Sequence, residues 1–331
     1  MTALLDIKGL TIDIARDTGP ARVVDGIDLV VNEGESLGIV GESGCGKSLT
    51  MLSLVGLLPN RIKATGGTAQ FGGADLLKMS PRELRKLRGA EIGFIFQDPM
   101  TSLNPVMRIG DQIAEALIYQ TGMAKPAALT RAGELLELVG IPSPRDRLMS
   151  YPHELSGGMR QRVMIAIGLA GSPRLLIADE PTTALDVTIQ AQIVDLVREL
   201  KDRLNMAVVW ITHDLALIAG LADRIAVLYA GTVVEDAPVS TIFERPSYPY
   251  TRGLLGSLPT LTDQPMSRLP SIGGTPPEPG RRPPGCPFAP RCTLAIAACS
   301  AAVPRLTAVP GSDPRHRVAC IVTTGQSEAA A

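Results

Sequence analysis

The chain has 331 residues, 45% of them hydrophobic, and its 32 Lys plus Arg against 33 Asp plus Glu leave a formal net charge of -1. That length suits two or three domains with a large core, which excludes intrinsic disorder as the default, and the balanced charge gives no net field to draw in a polyanion, which argues against nucleic acid. No window reaches about 18 consecutive apolar residues and the first residues lack the basic-then-apolar layout of a secretory leader, so a soluble, intracellular chain is expected.

Residues Leu4 to Ile14 and Val23 to Val31 alternate apolar with polar, predicting antiparallel strands before a turn at Asn32-Glu33-Gly34-Glu35. Leu37 to Val40 then reads as a short buried strand, and Leu49 to Leu57 as an apolar helix. Between them stands Gly41-Glu42-Ser43-Gly44-Cys45-Gly46-Lys47-Ser48, which fits G-x-x-x-x-G-K-[ST]. Gly41, Gly44 and Gly46 can take backbone angles closed to other residues, so consecutive N–H groups can converge on phosphate oxygens at a helix N-terminus. Lys47 adds positive charge toward the β- and γ-phosphates, and Ser48 offers a hydroxyl to Mg²⁺. Cys45 reads as a tolerated small side chain whose oxidation could block the loop. No aromatic residue precedes Phe71. A base would therefore meet something other than a ring here; Arg16 or Arg22 lying flat on it is one reading, solvated surface charge the other.

A charged helix is expected over Pro81 to Arg88, then an apolar strand from Ile92 to Phe96 ending in Gln97. Gln97 is either an ordinary strand-end polar residue or a group that senses the γ-phosphate, Mg²⁺ or the attacking water. Asp111 to Val139 carries a helical pattern, an all-helical insertion between sheet segments. It ends at Leu155-Ser156-Gly157-Gly158-Met159-Arg160-Gln161, where Ser156 can cap the next helix while Gly157 and Gly158 leave N–H groups open for a second anion. The buried strand Leu175 to Ala178 delivers Asp179 and Glu180. Neighbouring strand residues face opposite ways, so the two acids are assigned different tasks: Asp179 on Mg²⁺ through its water shell, Glu180 as general base toward water. Another apolar strand, Ala207 to Ile211, ends at Thr212-His213, and His213 could reach a γ-phosphate oxygen.

These motifs, in this order and spacing, resemble the nucleotide-binding subunits of ATP-binding-cassette transporters over about Leu4 to Val239. The resemblance implies an α/β fold: a P-loop NTPase (RecA-like) core with an N-terminal antiparallel β-subdomain at 1–97 and 161–239, an α-helical signature subdomain at 98–160, and an irregular C-terminal extension at 240–331. It adds Leu49 to the nucleotide contacts, and Asp186 through the run Ala184-Leu185-Asp186. It also implies Mg²⁺ held by Ser48, Gln97 and Asp179, with Lys47, Gln97, Glu180 and His213 as the catalytic set. Two cassettes would pair head to tail, so that Ser156, Gly157 and Gly158 of one close on ATP held by the other. One phosphate loop, no sustained heptads and no basic excess speak against a ribosome- or DNA-acting cassette. Glu180 and His213 speak against a non-hydrolysing one.

Beyond Ser240 lie 15 of the 27 prolines, predicting a loop-rich appendage poor in core. The run from Arg245 through Tyr248-Pro249-Tyr250 to Leu255, followed by Gly285-Cys286-Pro287-Phe288-Ala289-Pro290-Arg291-Cys292, resembles the C-terminal extension of the oligopeptide and dipeptide importer ATPases, a branch that includes nickel importers. The resemblance implies an ATPase at the cytoplasmic face of the inner membrane, bound peripherally. Its partners would be a second cassette (copy or paralogue), two transmembrane permease subunits and an extracytoplasmic peptide-binding protein. Cys286, Cys292, Cys299 and Cys320 are separated by five, six and twenty residues. Four thiols on irregular loops suit a [4Fe–4S] cluster that would staple a coreless segment; Zn²⁺, disulfides or free thiols are the alternatives.

Overall fold

In the computed structural model, residues 2–183, 185–258 and 271–325 are described. They fall into two compact units that share the chain by turns: Met1–Leu4, Val31–Ser36 and Lys78–Ile211 make one, while Leu5–Val30, Leu37–Leu77 and Thr212–Ala331 make the other.

The chain opens with β1 (Ala3–Arg16), β2 (Gly19–Asn32) and the short, fully buried β3 (Ser36–Val40). α1 (Lys47–Leu54), β4 (Ile62–Phe71) and β5 (Ala74–Asp75) follow. α2 (Pro81–Leu87), β6 (Ile92–Ile95) and α3 (Pro99–Ser102) lead to α4 (Ile109–Thr121), α5 (Lys125–Leu138), α6 (Pro144–Arg147) and α7 (Gly157–Gly168). Then come β7 (Leu175–Asp179), α8 (Val187–Leu204), β8 (Ala207–Thr212) and α9 (Leu215–Ile218). β9 (Arg224–Tyr229), β10 (Thr232–Pro238), α10 (Val239–Glu244) and α11 (Pro249–Gly256) precede two short strands, β11 (Thr307–Ala308) and β12 (Arg317–Val318).

In the first unit β6, β7 and β8 run parallel, with Ile92 beside Leu175 and Leu175 beside Ala207. Every residue of β7 and β8 is buried, as the unbroken apolar runs require of a sheet covered on both faces. The expected helical insertion is present, but Gly122 breaks it: its left-handed backbone (φ +72°) ends α4 and lets α5 turn back on it. Ile113, Ala114 and Leu117 of α4 and Ala128, Ala132 and Leu135 of α5 are the buried faces, at helical spacing. α2 starts at a capping box in which Ser80 and Glu83 each accept the other's backbone N–H.

In the second unit one sheet has the order β2-β1-β4-β5, with β1 antiparallel to β4. Separately, β3 lies parallel to β9, β9 antiparallel to β10, and β12 antiparallel to both β10 and β11. The tail is as irregular as its prolines predict, yet it has a core. Tyr248, Tyr250 and Phe288 are buried together against Tyr229 of β9, with ring centroids 4.8 to 6.0 Å apart. β10 contributes two buried acids to the same region. Glu235 accepts the backbone N–H of Ser247 (2.6 Å) and of Tyr248 (3.1 Å), and Asp236 pairs with Arg224 and Arg317.

The four-cysteine expectation is therefore corrected. Among the described residues no group of three or more His, Cys, Asp or Glu could hold a metal ion, so neither a [4Fe–4S] cluster nor Zn²⁺ is supported at Cys286, Cys292, Cys299 and Cys320. All four are free thiols. Cys286 Sγ lies 3.4 Å from the Tyr248 hydroxyl, and Cys292 Sγ accepts the Leu294 N–H at 3.4 Å. Burial pushes the Cys292 thiol up, favouring the neutral form over the thiolate that metals need. The aromatic cluster and the buried acids supply the stapling for which a cluster was invoked.

Candidate functional site

The phosphate loop leaves β3 at Gly41 and enters α1 at Lys47. Gly41 is obligatory by contact: a Cβ there would sit 2.2 Å from the Leu228 carbonyl oxygen and 2.9 Å from Cys45 Sγ. Gly46 is obligatory by conformation, because it caps α1 at φ +101°. Lys47 is buried, 4% exposed, and its ammonium donates to the carbonyls of Gly41 (2.7 Å) and Glu42 (3.1 Å), so the loop itself holds the cation in place. Ser43 and Gly44 are exposed, Glu42, Ser48 and Leu49 partly so. Such a cradle, glycine-lined and carrying a buried cation at a helix N-terminus, fits a polyphosphate.

Cys45 is 6% exposed and burial pushes its thiol up, which makes it a poor nucleophile. Arg22, offered as a base contact, is instead engaged with Asp13 and Asp25. His213 is exposed just past β8, in a turn tied by the Asp214 N–H to Thr212 Oγ1 (3.0 Å) and by Asp214 capping α9.

The other candidate groups belong to the first unit. Asp179 ends β7 and is 6% exposed. Glu180 follows at φ +44°, a left-handed backbone that a residue with a Cβ rarely adopts, fixed by its N–H donating to the Ile211 carbonyl at 3.0 Å. Its Oε2 accepts from Gln97 Nε2 (3.2 Å) and from Thr183 Oγ1 (3.1 Å). Gln97 and Glu180, 83 residues apart, are thus brought together. The hydroxyl, carboxylate and amide oxygens of Ser48, Asp179 and Gln97 are hard donors of the kind Mg²⁺ takes.

Ser156 caps α7, its Oγ accepting the Met159 N–H at 3.3 Å. Gly158 lets α7 approach α8 closely, since a Cβ would lie 2.9 Å from Ile189 Cγ2. Asp186 spends one carboxylate oxygen on the Ile189 N–H (2.9 Å) at the start of α8. Ala184 lies outside the described residues.

Comparison with known proteins bears on both ends of the chain. The family model described as ABC transporter matches residues 24–183, and the one described as oligopeptide/dipeptide transporter, C-terminal region, matches 234–299. A putative peptide import ATP-binding protein of Brucella abortus is 51% identical, covering 89% of each chain. The dipeptide transport ATP-binding protein DppD of Bacillus subtilis is 46% identical over 99% of this chain and 97% of its own. Among solved structures, the dimeric post-hydrolysis state of the ATP-binding cassette MJ0796 bound to ADP and Pi superposes with a TM-score of 0.63 at 30% identity, over 71% of this chain and 98% of that one.

Proposed function

Since this chain belongs to the ATP-binding-cassette transporter family, in its peptide-import branch, we propose that it is the ATP-hydrolysing subunit that energises import of peptides across a membrane. Glu180 carries the reading. A carboxylate held in a strained backbone at a strand end, with Gln97 and Thr183 on one oxygen, is positioned and not merely solvated, and it is the group a γ-phosphate-directed water needs.

The phosphate loop, Gly41 to Ser48 with Leu49, binds the triphosphate of ATP, and Lys47 with the loop amides stabilises charge as it builds on the γ-phosphate. Ser48, Gln97 and Asp179 would hold Mg²⁺, which would supply positive charge against the triphosphate. Glu180 takes the water's proton and His213 orients that water. Ser156, Gly157, Gly158 and Asp186 serve the nucleotide of a second cassette, as the dimeric neighbour suggests. The same reading divides the chain into a nucleotide core at 1–97 and 161–239, a helical segment at 98–160 and a C-terminal extension from 240.

No helix among the described residues is long and apolar enough to cross a membrane. In this reading permease subunits form the path across the membrane and an extracytoplasmic protein delivers the peptide, as the likeness to peptide-import ATP-binding proteins supports. A groove of about 770 Å³ in the helical region, edged by Met107, Ile118, Tyr119 and Tyr151, is the surface we assign to the permease; the likeness to peptide-import ATP-binding proteins supports a peripheral position at the membrane, and this reading takes its cytoplasmic face. Phosphate release by the parent and by Glu180→Gln tests the enzyme claim. Turnover in the parent that falls at least a hundredfold in the variant is expected; equal, negligible rates in both would sink it.

A further inference from the structure

Glu42 occupies a position that the phosphate-loop motif leaves open, yet it is fixed at three points. Its N–H donates to the Tyr250 hydroxyl at 2.9 Å. Its carbonyl accepts from Lys47 Nζ at 3.1 Å. Its carboxylate is gripped by Arg291, with Nη1 to Oε2 at 2.8 Å and Nη2 to Oε1 at 3.0 Å. Two of these three anchors, Tyr250 and Arg291, come from the tail beyond residue 240.

Arg291 is itself held. Its side chain is 5% exposed, its Nε donates to the Gly273 carbonyl at 2.9 Å and its Nη1 to the Tyr229 hydroxyl at 3.2 Å. The guanidinium lies 5.7 Å from the Tyr229 ring and 5.8 Å from that of Phe288. Pairing with Glu42 raises its already high pKa, so it is a permanent cation facing a carboxylate in two-point geometry. Tyr250 is fully buried, and burial raises its pKa well above the ordinary phenol, so its hydroxyl stays neutral as the acceptor for the Glu42 N–H.

We propose that Arg291 is a positioning residue for the phosphate loop: through its two-point pair with Glu42 it fixes the peptide that orients Lys47, and the C-terminal extension thereby sets the affinity for ATP. The proposal rests on the ATPase reading and adds to it a task for the tail. A loop without this anchor must be ordered by the nucleotide itself, and that ordering is subtracted from binding. The guanidinium is spent on Glu42, Gly273 and Tyr229 and acts on the loop only through Glu42, so its loss acts on binding more than on the chemical step.

The test is steady-state ATP hydrolysis, with melting temperatures, on the full chain and on R291A, R291K, E42Q and the R291A/E42Q double variant. R291A is expected to raise the KM for ATP about tenfold with kcat within about twofold, and R291K to recover only part of the loss because an ammonium cannot bind both oxygens. E42Q is expected to raise KM similarly, and the double variant to be no worse than the poorer single, since both act through one contact. If R291A does not fold, E42Q carries the comparison, because it leaves the contacts of Arg291 with Gly273 and Tyr229 in place. An unchanged KM in R291A and E42Q, or losses that simply add in the double variant, would overturn the proposal while leaving the ATPase intact. A parent that neither binds nor hydrolyses ATP would overturn both.

Discussion

His316 and Glu235 meet at 2.8 Å through Nε2 and Oε1, with neither side chain more than 1% exposed. The other ring nitrogen lies 2.8 Å from Ser312 Oγ, and Glu235 carries two backbone N–H groups besides. One residue far along the chain thus adds a third hydrogen bond to an acid buried beside the start of α11. Removing His316 takes from buried Glu235 one of its three hydrogen bonds and leaves a cavity where the ring packed, at a cost of about 2 kcal/mol. His316→Ala should lower the melting temperature by several degrees and expose sites beyond residue 240 to protease, measured by thermal denaturation and limited proteolysis.

The close approach of Gly41 to the Leu228 carbonyl sets a second expectation. Gly41→Ala places a methyl 2.2 Å from a backbone oxygen that cannot move without disturbing β9. ATP binding, read by titration with a fluorescent nucleotide, should weaken by at least a hundredfold. Retention of parental affinity would show that the loop has another conformation available.

Gln97 is expected to matter to turnover more than to affinity, because its amide donates to a Glu180 oxygen. Gln97→Ala should lower kcat roughly tenfold with a smaller change in the KM for ATP. A change confined to KM would assign Gln97 to binding alone.

Cys45 sits in the phosphate loop but is guarded by burial, which raises its pKa and keeps it protonated. Alkylation requires the thiolate, so native protein at pH 8 should resist iodoacetamide at Cys45 and react there only after unfolding. Peptide mass mapping reads this directly. Modification of Cys45 in native protein as fast as Cys320 would contradict it.

What was legible in the sequence is what lies close together along it. The phosphate loop is eight contiguous residues, and the acidic pair follows a four-residue apolar run, so both stand out without a partner in view. The pairing of Gln97 with Glu180 can be guessed only because both end parallel strands of one sheet. Arg291 gives no such signal: its partner is 249 residues away, at a position where the motif accepts any residue. Asp186, read as a nucleotide contact, also carries the ordinary mark of a helix cap, three residues before the N–H it accepts. The cysteines misled for the converse reason. Their spacing suggested a ligand set, but spacing in a proline-rich loop says nothing about where thiols point, and the few aromatic residues of the chain that build the tail's core are too scattered to announce it.

The pairing of β12 with β10 bears on how the protein is made. Glu235 opposite Val318 and Asp236 opposite Arg317 mean that the outer side of β10 has its strand partner only when residues some eighty positions later have been synthesised. Until then a nascent or prematurely ended chain offers the bare edge of a strand containing Val233 and Val234 to any neighbour. Quality control in the cell would meet this protein chiefly as unfinished molecules, and a stop codon upstream of β12 would produce aggregates sooner than a weakened enzyme.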